Sequence, residues 1–257
     1  MRRAQLARTS AARTSAARIY AARVYAAGAY AAFLAVSLWG VLFLADVGPT
    51  PTVDSHRSGS AWTAVAVDVG LWVLFALQHS VMARAPFKTW LTRVVPQQVE
   101  RSTYVLTGSL ALGLLFWQWR ALPDSVWEIH AQPWVALAWV VYGAGWVTAI
   151  AATFMTDHWE FLGLRQTVRD ADDLQSSVSE RWLYAWVRHP MMLGLLVAFW
   201  VTPVMTGGHL LFALAASGYI AVGVHFEERD LRRNLGSAYD DYARRVPRFV
   251  PGARGRA

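Results

Sequence analysis

The chain has 257 residues and a formal charge of +7, but only 16% of its residues are charged and 55% are apolar. Soluble domains carry roughly a quarter charged residues, so this balance argues against one. The Arg residues fall between apolar stretches rather than along one amphipathic face, which indicates membrane topology and anionic lipid, not nucleic acid.

Residues 7–31 form a pentad repeat, ARTSA, ARTSA, ARIYA, ARVYA, AGAYA. A five-residue step rotates a helix by about 500°, so Arg8, Arg13, Arg18 and Arg23 share no face. Residues 1–23 therefore read as a basic, low-complexity arm, expected to be poorly ordered and to fix topology. A transit-like targeting peptide is the alternative.

Residues 24–155 are expected to hold four transmembrane helices, since a span needs about 20 apolar residues. These are Val24–Val47, Ala61–Ala83, Thr103–Leu122 and Pro133–Met155. Residues 156–257 hold a loop, a second apolar tract and a tail. The tract Met191–Phe226 exceeds one span and is broken by Thr202-Pro203 and Gly207-Gly208, which are turn residues. It reads as a hairpin, Met191–Val201 and His209–Phe226, with a short first arm. The fold class is thus all-α, a polytopic membrane bundle of five or six helices with a helical C-terminal tail.

The fourteen Trp, many near the ends of apolar runs, fit the headgroup level of a bilayer. Six Arg lie in the N-terminal arm and eight in the tail from Glu227, whereas Gly48–Ser60 has only Arg57 and Pro123–Gln132 has none. All the basic segments fall on one side only if the hairpin returns the chain. By the positive-inside rule that side is the cytoplasm, with both termini on it; the expected location, which charge does not decide, is a bacterial-type inner membrane.

Polar and ionisable residues at the ends of spans are costly and so are functional candidates. They gather at this cytoplasmic side: Gln78 and His79 after the second span, Asp157, His158 and Glu160 after the fourth, Arg188 and His189 before the fifth, and His225, Glu227 and Glu228 at the end of the hairpin. The His residues are isolated from one another, so no metal site is expected, and haem ligation is disfavoured. Asp68 is the only acid well inside a span and the apolar part of the chain shows no related halves, which disfavours transport.

In Arg188-His189-Pro190, the proline suits a first helical turn, where its missing N–H costs nothing. Arg188 and His189 then sit just outside a helix N-terminus, where an Arg fork and free N–H groups suit a carboxylate. Gly194 leaves room for close approach by a flat ligand or another helix. Glu227 and Glu228 emerge opposite them and suit an ammonium group or ribose hydroxyls. On these residues alone, a site for a zwitterionic, nucleoside-like cofactor and an interfacial salt-bridge belt both stand.

The pattern Arg188-His189-Pro190-x-x-x-Gly194, an apolar hairpin, Glu227-Glu228-x-x-Leu231, Gly236-x-x-Tyr239 and Tyr242-x-x-x-Val246-Pro247 resembles the isoprenylcysteine carboxyl methyltransferase and phospholipid methyltransferase superfamily. Residues 75–84 (FALQHSVMAR), 157–166 (DHWEFLGLRQ) and 199–213 narrow the resemblance to the methanethiol S-methyltransferases, related to NnrU-like proteins. The resemblance covers residues 30–250, and Met192 departs from it where the superfamily commonly has an aromatic.

It implies transfer of a methyl group from S-adenosylmethionine (SAM) to methanethiol, a small volatile thiol, giving dimethyl sulfide. By matching positions it implies SAM binding by Arg188, His189, Gly194, Glu227 and Glu228, with Tyr184, Arg232, Tyr242 and Arg245 in support. A thiolate, not a thiol, is the attacking species, so a base is required. His79 and His158 are the candidates, His79 the favoured one. The alternatives are another acceptor (hydrogen sulfide, another thiol or a lipid) and a non-enzymatic NnrU-like accessory protein.

Overall fold

The computed structural model describes residues 2–55, 60–156, 182–250 and 252, with side chains from residue 17 onward. The elements among them are α1 (Arg2–Leu44), α2 (Ala61–Met82), α3 (Ala85–Leu91), α4 (Glu100–Gln118), β1 (Ser125–Glu128) and α5 (Gln132–Thr156), then α6 (Pro190–Trp200), β2 (Val204–Thr206), α7 (Gly207–Leu235) and α8 (Ser237–Arg245).

Among the described residues, four segments are long and apolar enough to cross a membrane: Ala17–Leu44 within α1, then α2, Gln132–Met155 within α5, and α7. The 19-residue α4 and 11-residue α6 complete the all-α bundle. The protein is an integral membrane protein. Helix α1 runs on through the N-terminal repeat, where a poorly ordered arm was expected. Alanine, the strongest helix former, supplies the reason.

The chain forms two compact units. Among the described residues, the first contains 2–38 and 74–113. It carries polar pairs: Gln78 Nε2 donates to Thr107 Oγ1 at 3.1 Å in a half-buried contact, and the exposed Tyr25 Oη donates to Thr103 Oγ1 at 3.1 Å.

The second unit contains 39–55, 60–73, 114–156 and 182–250. Its core is aromatic. The Phe212 ring lies 5.0–6.3 Å from the rings of Trp72, Phe199, Trp119, Phe43 and Phe116. Asp68, fully buried in α2, accepts from the backbone N–H of Arg120 at 3.0 Å, satisfying the chain where α4 has ended. That bond is a structural use for the acid that stood alone in its span.

Helices α5 and α6 cross in close contact. On α5, Val140, Val147, Ile150 and Phe154 face outward, while Ala138, Tyr142, Ala149 and Ala152 are buried. Apart from Tyr142, the buried positions are thus small and the outward ones large, as expected where lipid removes the drive to bury bulk. A Cβ on Gly194 would lie 2.5 Å from Gly145 O and 2.6 Å from Ala149 N.

The hairpin α6–α7 turns through residues 201–206. Thr206 caps α7 by accepting from His209 N at 3.2 Å, and His209 Nε2 lies 3.0 Å from Phe199 O. Strand β2 pairs antiparallel with β1.

Candidate functional site

Pro190 occupies the first turn of α6, and Arg188 and His189 lie just before it, both buried. Their backbones are tied to the C-terminal tail: Arg188 N donates to Pro247 O at 2.9 Å and His189 N to Arg248 O at 3.3 Å. Helix α7 continues past its apolar part and brings Glu227 and Glu228 alongside. It ends at Gly236, whose φ of +56° suits glycine and lets α8 fold back. Tyr239, Tyr242 and Val246 are buried there against Leu231, Leu235 and Ala243.

Glu228 is the centre of the site, with no solvent exposure. Its carboxylate is ion-paired with Arg188, whose Nη1 lies 2.9 Å from Oε1, and accepts from Arg248 Nε at 3.0–3.1 Å and from Arg248 Nη2 at 2.6 Å. His189 Nε2 lies 3.2 Å from Glu228 Oε1, and Nδ1 lies 3.6 Å from Glu227 Oε2, so the two ring nitrogens face the two carboxylates. Arg232 Nη2 is 3.8 Å from Glu228, and its Nε pairs with Asp240 at 3.3 Å. Arg188 also donates to Tyr239 Oη at 3.4 Å.

A buried carboxylate is tolerable only when paired. Here two guanidinium groups press on one carboxylate, leaving a cationic excess at Arg188 and Arg248. Glu227, half exposed, supplies an anionic pole beside His189. Burial, then the Glu228 charge, push the Tyr239 phenol above its usual 10, so it stays a hydroxyl. The Arg248 guanidinium is held charged by its hydrogen bonds to Glu228. The arrangement offers opposite charges side by side, which a zwitterion matches. Arg188 Nε, buried and without a hydrogen-bond partner among the described residues, is a further donor of the right kind for an anion.

The other expected residues divide clearly. Tyr184 contributes its carbonyl, which accepts from Tyr242 Oη at 2.7 Å. Arg245 is exposed on α8, its Nε donating to Asp241 O at 3.3 Å. Gly194 lies outside the charged cluster, in the α5–α6 crossing, so its open space receives a helix backbone. His158 lies outside the described residues.

His79 belongs to the first unit, on α2. Its Nε2 is 2.6 Å from Tyr104 Oη, its ring stacks on Phe75, and Gly108 leaves room for Nδ1. Among the described residues no group of three or more His, Asp or Glu is placed to hold a metal.

Two partners escaped the sequence reading. Arg248 is one of eight Arg in the tail, and only its place directly after Val246-Pro247 distinguishes it. Tyr104 sits within an apolar run, four positions before Gly108, with no local signal of a partner on α2.

No family model matches the chain, and no solved structure matches it. Methanethiol S-methyltransferase of Mycobacterium tuberculosis is 46% identical over 222 residues, 85% of this chain and 91% of that protein. Methanethiol S-methyltransferase 2 of Bradyrhizobium diazoefficiens is 45% identical over 86% of each chain. Nurim of Rattus norvegicus is 31% identical over 67% of this chain and 70% of its own.

Proposed function

The chain belongs to the methanethiol S-methyltransferase family, and from that premise we propose that it methylates methanethiol with SAM at the cytoplasmic face of a bacterial cell membrane. The products are dimethyl sulfide and S-adenosylhomocysteine. The observation that carries the reading is the buried Glu228 cluster, in which a cationic excess and the Glu227 carboxylate lie side by side.

SAM, when bound, supplies an electrophilic methyl group on a sulfonium. The residues of the cluster fit it chemically. The guanidinium excess suits its amino-acid carboxylate, and Glu227 suits the ammonium group or ribose hydroxyls. Glu228 holds Arg188 and His189 in place and so acts as a positioning residue. Tyr242, Tyr184, Arg232 and Arg245 support the tail from behind. Methyl transfer to a positioned nucleophile gains much of its rate from orientation alone, which rigid, buried partners supply.

The nucleophile is the thiolate. His79 is the proposed base: the thiol proton passes to the Tyr104 oxygen as that hydroxyl gives its own proton to Nε2, 2.6 Å away. His158 keeps its standing as the second candidate.

The direct test is headspace gas analysis of membranes containing the protein. Dimethyl sulfide should accumulate only when both SAM and methanethiol are supplied. Hydrogen sulfide and a prenylated cysteine peptide serve as competing acceptors. Purified protein that shows a Soret band and consumes no SAM would instead be an accessory protein.

A further inference from the structure

Arg248 differs from the other partners of Glu228 in having two working edges. One edge, Nε and Nη2, is spent on both carboxylate oxygens at 2.6–3.1 Å. Its remaining N–H groups bond to none of the described residues, and its side chain is 50% exposed against 7% for Arg188. A guanidinium carries five N–H donors in a planar fork, so an edge fixed on one carboxylate aims the other at a second. The backbone is held as well: Arg248 O accepts from His189 N, and the next residue's ring, Phe249, lies 6.0 Å from the His189 ring. Fixing the side chain in advance lowers the entropy lost when a ligand binds.

We propose that Arg248 is the residue that reads the amino-acid carboxylate of the co-substrate, locked on its inner edge by Glu228 and pairing the ligand through its outer edge. This rests on the SAM reading above. Arg188, almost fully buried and shared between Glu228 and Tyr239, then contributes charge from behind rather than the outermost contact. The tail beyond Val246-Pro247 is accordingly part of the binding wall.

The test separates the carboxylate from the rest of the ligand. Binding of S-adenosylhomocysteine and of its decarboxylated analogue is measured by calorimetry on purified, membrane-reconstituted protein. In Arg248→Ala, affinity for S-adenosylhomocysteine should fall roughly tenfold to a hundredfold, the size expected for a lost bidentate charged pair. Affinity for the decarboxylated analogue should stay close to that of the unmodified protein, which also reports an intact site.

Arg248→Lys, which keeps the charge on Glu228 but not the fork, should lie between. Equal losses for both ligands, or no loss for either, would overturn the assignment while leaving the SAM reading in place. Failure of the unmodified protein to bind either ligand would overturn both.

Discussion

Glu227 and Glu228 are adjacent in sequence but face opposite physical demands. Glu228 has no exposure and must be ionised to satisfy Arg188 and Arg248. Removing one partner of such a buried pair costs about 3–5 kcal/mol, because the remaining charges stay out of water. Glu228→Gln should therefore lower the thermal unfolding temperature in detergent as well as abolish S-adenosylhomocysteine binding. Glu227→Gln, at a half-exposed carboxylate, should weaken binding with little change in unfolding temperature. For His79→Ala, co-substrate binding should persist while turnover falls. The deficit should shrink as pH rises toward the thiol's own ionisation, because a base matters only while the thiol keeps its proton; a pH-independent deficit would remove His79 from that role.

At the level of elements, the α6–α7 hairpin was legible because its break is made of Pro and Gly and its start of Pro190, residues whose backbone restrictions are local. The onward course of α7 to Leu235 was not. The apolar pattern stops near Phe226, whereas helical hydrogen bonding is indifferent to that change and persists until Gly236. The pairing of β1 with β2 was also invisible, since four exposed residues are too few to show alternation. Gly194 read as a place of close approach by a flat ligand or a helix, and its Cβ position meets the backbone of α5. Because a Cβ there would strike the backbone of α5, Gly194→Ala should destabilise the protein by about 1–3 kcal/mol. Gly143→Ala, with nothing within 4 Å of its Cβ position, is the control in the same melting experiment and should hold or raise stability through alanine's helix preference.

For the whole molecule, composition alone identified a membrane protein, and the Lys and Arg distribution supplied an orientation. Reporter fusions should place residues 1 and 257 in the cytoplasm, and fusions in the connections around Pro51 and Ser125 outside. The reverse pattern would move the proposed site to the other face. What composition could not reveal is which of many arginines in the tail meets which buried acid, since that pairing spans a distance in sequence with no periodicity to mark it. The same long span bears on synthesis. Arg188 and His189 hang by their backbone N–H groups from Pro247 and Arg248, so a ribosome delivers one half of the site long before the other. The nascent chain can be inserted and helical, yet remain blind to its co-substrate until its final stretch has been made. A chain stopped after Val246 should enter the membrane normally and bind no S-adenosylhomocysteine.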